Sequence, residues 1–366
     1  MKVVIAGGGT GGHLFPGIAL AEEVVTRHPS NEVLFVGTAR GLEARVVPQR
    51  GFPLELIDVT GVKGKGIAGF VGGVLKLPRA IARCVQILRD SRADIVVGVG
   101  GYASFPMVVA AFLRGTPTAI QEQNALPGLT NRLLGRIADA VFVAFDEAAR
   151  FFPARKTQNV GNPIRKALME NFLRPQETHE RFRILIFGGS QGARAINLAA
   201  AEAATVLAPL RERLRILHQT GSSDRETVQQ AYAAAGIEAE VVEFIDDMSQ
   251  AYARSDLVIC RSGATTLAEL TVCKKAAVLI PFPYAADNHQ EVNARSLVDK
   301  GAALMILQRD LTGARLAEEI RALIEHPDRL RKMEKAAGLL GRPEAAKEIA
   351  DVCVNLVYKG REQGAG

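Results

Sequence analysis

The chain has no tryptophan, and aromatic residues make up only 5% of it. That scarcity argues against a carbohydrate-binding module built on indole platforms and leaves sugar-nucleotide chemistry open. Cysteine is sparse too: Cys84, Cys260, Cys273 and Cys353 are widely scattered and form no CxxC pair. A disulfide framework and a zinc site are therefore disfavoured, and a reducing compartment is the simpler expectation. No apolar run approaches the ~20 residues that a membrane-spanning helix needs. The opening MKVVIAGGG has one Lys and a short apolar run before its glycines, too little for a signal peptide core; it reads as a first buried strand. The expectation is a protein that is soluble or rests on a membrane without crossing it.

Apolar residues, by contrast, are plentiful. They make up 48% of 366 residues, enough for two cores and too long a chain for one ordinary domain. Short Val- and Ile-rich runs alternate with longer Ala- and Leu-rich amphipathic stretches. Strands are expected at residues 3–6, 33–36, 54–59, 95–99, 118–121 and 140–144, and again at 184–187, 215–219, 240–244, 257–260, 277–280 and 303–306. Continuously apolar strands separated by helical segments mark parallel sheets covered on both faces. A boundary is expected at residues 160–162, where Pro163 limits regular structure and a polar stretch, 174–181, precedes the next strand. KVVIAGGGTGG and RILIFGGSQGAR each run strand, glycine turn, small-residue helix, so the halves echo one another. The fold class is then α/β: two Rossmann-like doubly wound parallel-sheet domains facing across a cleft, with ligands at the strand carboxyl ends.

Three glycine loops follow strands. In the first, Gly7 to Gly12 with Thr10 lead into His13. Such a loop lets the backbone approach a bulky anion, and the next helix offers unpaired N–H groups. A Walker A loop would end in Gly-Lys-Ser/Thr, but His13-Leu14 stands there. A dinucleotide fingerprint would place an acidic residue at the end of the second strand, where Gly37-Thr38 stands instead. The others are Gly98 to Ser104 and Gly188 to Arg194. Three such turns divided between two domains imply one large anionic ligand or two, and two pyrophosphates would fit. The second domain adds Arg261 to Glu269 directly after a strand. Ser262 reads as an N-cap, and Glu269, seven residues on, shares its helix face. Asp287 to Glu291 form a loop that either reads sugar hydroxyls or is simply solvated.

The net charge of +6 points to an anionic partner: nucleic acid, phosphorylated ligand or acidic lipid. Residues 61–92 hold Lys63, Lys65, Lys76, Arg79, Arg83, Arg89 and Arg92 against Asp90, interleaved with Ile67, Phe70, Val71, Val74 and Leu75. An apolar patch rimmed by cations suits shallow insertion into an anionic surface; the same residues also suit a core helix with a basic outer face.

GGTGGHLFPG, GVGGYASFP, QEQNALPGLTNR, VGNPIR, FGGSQGAR, FIDDM and RSGATTLAE occur in this order. Together they resemble the MurG family of bacterial lipid II-forming N-acetylglucosaminyltransferases along nearly the whole chain. The resemblance implies the two-domain GT-B architecture, with residues 1–161 as an acceptor and membrane-associating domain completed by a helix near 344–359, and residues 162–343 as the donor domain. It implies transfer of N-acetylglucosamine from UDP-N-acetylglucosamine to the muramyl 4-hydroxyl of lipid I, with inversion. Carried onto this chain, Ser190 and its loop would meet the diphosphate, Arg165 would lie at the mouth of the cleft and the Ile245 backbone would recognise uracil. The helix opening through Ala264, Thr265, Thr266, Leu267 and Ala268 would point its positive end at phosphate. Glu269 would bind ribose and Gln290 the sugar, while Thr10, Gly11, Gly12 and Asn124 would complete the site around sugar and acceptor. The family often has two consecutive amides where His289-Gln290 stands, so only Gln290 is carried over.

Such a displacement needs a base for the acceptor hydroxyl, and His13 is the candidate, an imidazole in a loop at the cleft. Helix N-termini can neutralise the departing diphosphate without a cation. There is no DxD motif, so no metal or other cofactor is expected, and Asp246-Asp247 is not read as a metal site. The resemblance implies a peripheral protein at the cytoplasmic face of the bacterial inner membrane. Its partners would be anionic lipid and other cell-wall synthesis and division proteins, not nucleic acid. Rival readings are another GT-B UDP-sugar transferase or epimerase, and a non-catalytic binder of the lipid precursor.

Overall fold

The computed structural model describes residues 1–59, 66–166, 168, 180–189 and 191–364, with the side chains of 66–75, 361, 363 and 364 excepted. The chain divides into two compact units, Met1–Arg165 with Pro343–Gly366, and Lys166–Arg342.

In the first unit the strands are β1 Lys2–Ala6, β2 Glu32–Gly37, β3 Leu54–Leu56, β4 Ile95–Gly98, β5 Thr118–Glu122, β6 Ala140–Val143 and β7 Thr157–Asn159. They form a parallel sheet in the order β3-β2-β1-β4-β5-β6-β7. Because alternate side chains leave a strand on opposite faces, the buried run of β1 feeds two cores. Val3 and Ile5 join one core with Leu14 and Ile18 of the helix Gly11–Arg27, while Val4 and Ala6 join the other with Ile87, Leu88 and Met107. The first core also holds Ile349, Ala350, Cys353 and Val357 of the last helix, Ala345–Gly364. Arg27 pins that helix, reaching Asp351 at 2.6 Å and the carbonyl of Lys347 at 2.8 Å.

The second unit repeats the plan with β8 Phe182–Phe187, β9 Leu214–Gln219, β10 Glu238–Val242, β11 Leu257–Cys260, β12 Ala276–Leu279 and β13 Ala303–Met305. Their order is β10-β9-β8-β11-β12-β13, again parallel throughout. Both sheets are Rossmann-like: strand order reverses direction beside β1 and beside β8, and open α/β sheets bind ligands at that switch point, beyond the strand carboxyl ends. All four cysteines are free and buried.

Two expectations about elements are adjusted. The strand expected at 54–59 stops at Leu56, and β7 was not expected at all, since its sequence TQN has no apolar residue. Of the basic segment, residues 60–65 lie outside the described residues, as do the side chains of Ile67, Phe70, Val71, Val74 and Leu75. The helix Gly66–Ser91 continues from there. No described helix is long and apolar enough to cross a membrane.

Candidate active site

In the first unit the two glycine loops flank the switch point and lock together. The amide of Gly8 donates to the carbonyl of Gly100 at 3.2 Å, and that of Gly7 to Val36 at 3.0 Å. Gly7 and Gly100 sit at φ +145° and +91°, and a Cβ on Gly7 would stand 2.2 Å from the Gly100 oxygen. Only glycine allows both the conformation and the approach. Beneath them lies Glu43, 1% exposed. Its carboxylate accepts from the amide of Gly9 at 2.7 Å, from that of Thr38 at 2.9 Å and from the Thr38 hydroxyl at 3.0 Å. The amides of Gly7, Gly8 and Gly9 are thus spent inside the protein. Among the described residues nothing accepts from those of Thr10, Gly11 and Gly12, which open the helix Gly11–Arg27. The donors left over for a ligand are therefore in the second half of this loop, at the positive end of the helix.

His13, expected in a loop, stands one residue further on in the first turn of that helix, half-buried. Its Nδ1 lies 2.9 Å from Gln123 Oε1. A Cβ on Gly100 would come within 2.7 Å of Nδ1, so the second loop passes under the ring. Gln123 is at the carboxyl end of β5, and its Nε2 donates to the Val99 carbonyl at 2.8 Å and to Gln121 Oε1. Next along the chain, Glu122 accepts from the amide of Asn124 at 3.0 Å and from Asn131 Nδ2 at 2.9 Å, which shapes the turn carrying Asn124. The guanidinium of Arg165 lies 5.8 Å from the ring centroid of Phe15, over the first turns of the same helix. Thr10, Gly11, Gly12, His13, Asn124 and Arg165 all gather around the β1 and β5 ends.

In the second unit the helix Ala264–Val272 follows β11 after three residues. Its N-cap is Gly263, not Ser262 as the sequence suggested. Ser262 is fully buried and its hydroxyl donates to the carbonyl of Gln290 at 2.8 Å, because the chain turns it toward the neighbouring helix His289–Val298. The Gln290 side chain is held as well: Oε1 accepts from the Phe282 amide at 3.0 Å, leaving its NH2 to donate. The Thr265 hydroxyl oxygen, in the first helical turn, is buried without a partner. Glu269 is no surface residue: it is 7% exposed, and Tyr252 donates to its Oε2 at 3.0 Å. Burial, and then Glu269 itself, raise the Tyr252 phenol well above its ordinary range, so it stays a donor. Tyr252 packs edge-on against Phe187, the last residue of β8 and the start of the third glycine loop. Ile245 lines a groove of about 300 Å³ with Phe244, Asp247 and Gln250. Asp247 caps the helix Met248–Ala253, accepting from the Gln250 amide at 3.0 Å. Ser190 lies outside the described residues.

Two domain models match: that of the glycosyltransferase family 28 N-terminal domain over residues 3–143, and that of the C-terminal domain over residues 183–349. The chain is 63% identical, over 99% of its length and 96% of the relative's, to a Myxococcus xanthus protein called UDP-N-acetylglucosamine--N-acetylmuramyl-(pentapeptide) pyrophosphoryl-undecaprenol N-acetylglucosamine transferase. A Syntrophus aciditrophicus protein of the same name is 51% identical over 98% of this chain and 99% of its own. The crystal structure of Acinetobacter baumannii MurG superposes with a TM-score of 0.79 at 32% identity, covering 97% of this chain and 99% of that one. The chain belongs to the MurG family. A UDP-GlcNAc 2-epimerase from Neisseria meningitidis, bound to UDP-GlcNAc, also superposes, with a TM-score of 0.69 over 97% of this chain and all of that one. At 16% identity that likeness is one of fold alone.

In this MurG-family chain the sequence pointed past three residues that hold candidate site residues, each within its own unit: Glu43 and Gln123 in the first and Tyr252 in the second. A signal existed for Gln123, since Gln121-Glu122-Gln123 puts three polar residues at the end of a central, buried strand. Polar groups kept in such a place are there to make hydrogen bonds.

Proposed function

We propose that this protein transfers N-acetylglucosamine from UDP-N-acetylglucosamine to the muramyl 4-hydroxyl of lipid I, releasing UDP and forming lipid II. The observation that carries this reading is kinship with named transferases along nearly the whole chain, through both units. The unit Lys166–Arg342 takes the donor. The free amides at the head of the helix Ala264–Val272, with Thr265 and Thr266, face the diphosphate; Glu269 accepts from ribose hydroxyls; the Gln290 amide group donates to the sugar; and the Ile245 backbone reads uracil. Ser190 and Arg165 add donors to the diphosphate. The other unit takes the acceptor, with Thr10, Gly11 and Gly12 at its diphosphate and Asn124 beside the sugar.

The reaction is a single inverting displacement. His13 takes the proton of the 4-hydroxyl as its oxygen bonds to C1, and the C1–oxygen bond to UDP breaks with its electron pair leaving on the diphosphate. Fixed amide dipoles stabilise that charge without reorganising.

The acceptor's lipid tail keeps it in a bilayer, so the protein works at a membrane surface, on its cytoplasmic face. Exposed Phe112 and Leu113 end the helix Ser104–Leu113, and exposed Leu129 and Leu133 lie on the adjoining helix Leu129–Ile137. Arg114 and Arg136 are exposed beside them, as are Arg79 and Arg89 on the helix Gly66–Ser91, which packs against the first. Apolar side chains among cations suit shallow insertion between anionic head groups. Recruitment by other wall-synthesis proteins would follow from the same location.

The deciding experiment incubates the protein with labelled UDP-N-acetylglucosamine and lipid I and identifies the product. Label in lipid II, with UDP released only when acceptor is present, supports transfer; acceptor-independent change of the sugar would mean epimerisation, and binding without turnover a non-catalytic role.

A further inference from the structure

A line of buried amides runs from His13 into the first unit. His13 Nδ1 meets Gln123 Oε1 at 2.9 Å, Gln123 Nε2 meets Gln121 Oε1, and Gln121 Nε2 donates to Asn162 Oδ1 at 2.9 Å. Gln121, Gln123 and Asn162 are 1%, 1% and 3% exposed, so water does not compete for these bonds. A chain of amides is reversible in principle: every member can turn over, and every bond then runs the other way. Reversed, Asn162 would donate to Gln121, Gln121 to Gln123, and Gln123 Nε2 to His13 Nδ1, imposing the opposite imidazole tautomer. Asn162 Nδ2, which has no partner in the observed direction, would be the first donor of that reversed chain.

One backbone group decides between the two directions. Gln123 Nε2 also donates to the carbonyl of Val99 at 2.8 Å, and a carbonyl oxygen only accepts. Turning the Gln123 amide over would set its oxygen against that of Val99, deep in the protein, and leave Val99 unpaired. A buried acceptor left without a donor is costly enough to hold one direction at room temperature. Val99 opens the second glycine loop and is itself held by its amide bond to the Ala6 carbonyl at 2.9 Å, so the lock does not drift.

We infer that Gln123 is a positioning residue that fixes His13 as the Nδ1–H tautomer and leaves the Nε2 lone pair free to accept a proton. Gln123 Oε1 has no hydrogen to give, so the hydrogen between the two residues belongs to His13. Among the described residues nothing bonds to Nε2. The two ring nitrogens are thereby assigned different duties, one structural and one chemical. A neutral amide does this without adding a negative charge beside a site built for anions. The inference rests on the reading of His13 as the base.

The test uses the full-length protein with 15N-labelled histidine. The His13 signals, identified by their loss in His13→Asn, report which nitrogen is protonated in the neutral ring. The expected result is a hydrogen on Nδ1 in the unaltered protein and a mixture of tautomers in Gln123→Met. That variant should also lose about 10–100-fold in kcat, part of the ~10²–10⁴-fold that a general base supplies, with KM for UDP-N-acetylglucosamine unchanged. A hydrogen on Nε2 in the unaltered protein overturns the inference even if Gln123→Met does not fold, and so does an unchanged tautomer with unchanged kcat in a folded Gln123→Met. Should His13→Asn retain full turnover, the base assignment fails, and the tautomer result still decides whether Gln123 sets the ring.

Discussion

The buried carboxylate of Glu43 accepts the amide hydrogen of Gly9 at 2.7 Å, so a side chain from the element after β2 sets the shape of the loop after β1. The glycines around it are shaped by the same contact. A Cβ on Gly8, Gly37 or Gly41 would fall 2.4, 2.4 or 2.1 Å from the Glu43 side chain. Glu43→Ala would strip Gly9 and Thr38 of their acceptor in a site that water reaches poorly. Expected are a loss of ~2–4 kcal/mol in stability and a higher KM for the acceptor, with donor KM nearly unchanged. Glu43→Gln, able to keep some of these bonds, should fall between. Chemical denaturation with steady-state kinetics on both substrates checks this, and unchanged acceptor KM in a folded Glu43→Ala would detach the loop's shape from acceptor binding.

If Glu269 is the ribose acceptor proposed above, Glu269→Ala should weaken donor use by about 10–100-fold, the value of a charge-assisted bond of ~1.5–3 kcal/mol. Tyr252→Phe takes away only the hydroxyl that orients it, and should cost about tenfold or less in the same direction. Titrating UDP binding in both variants separates them; equal, wild-type affinities would remove Glu269 from the site.

The second unit predicts an acid-sensitive stability. His218 is fully buried between Tyr232, whose hydroxyl lies 2.9 Å from Nδ1, and Asn197 Oδ1, 3.2 Å from Nε2. Burial, opposed weakly by Asp224, lowers its pKa from 6.5 to about 3. Below about 6.5 the unfolded chain takes up a proton that the folded one refuses. Stability from this residue is therefore complete above that pH and is lost steadily as pH falls toward about 3. His218→Gln should lower stability at neutral pH and flatten this part of the slope. Urea midpoints across the range measure both, and an unchanged slope would mean that His218 does not govern it.

At the membrane surface, Phe112→Ser with Leu129→Ser should weaken binding to anionic vesicles several-fold while leaving turnover on a water-soluble acceptor analogue intact. Salt should weaken the parent's binding too, since head-group attraction contributes ~1 kcal/mol per cation near the surface. Equal binding to neutral and anionic vesicles, unaltered by either change, would rule this face out.

The strand pattern was legible because parallel strands buried on both faces are apolar where they are covered, and 184–187 and 257–260 could be little else. β7 escaped for the converse reason. It is an edge strand of three polar residues, paired only with β6, and its place depends on backbone bonds that leave no trace in side-chain polarity. Within the site, glycines and helix starts could be read because their roles are local. Burial of Glu269 could not, because it depends on Tyr252, 17 residues away, and on Phe187 in a different strand. Ser262 failed similarly: a serine before a helix is an N-cap by default, and only the helix 28 residues later offers it a better acceptor.

The last helix belongs to the first unit, and this orders events during synthesis. Domains fold in turn as they leave the ribosome. The first unit cannot finish in turn, because Ile349, Ala350, Cys353 and Val357 complete its core and are made only after the whole second unit. The second unit, inserted ahead of them, is fully translated while its predecessor still exposes an apolar face around Leu14 and Ile18. A ribosome stalled before codon 345 would therefore leave a chain whose second unit is whole and whose first unit is open, the kind of product that quality-control proteases recognise by exposed apolar surface.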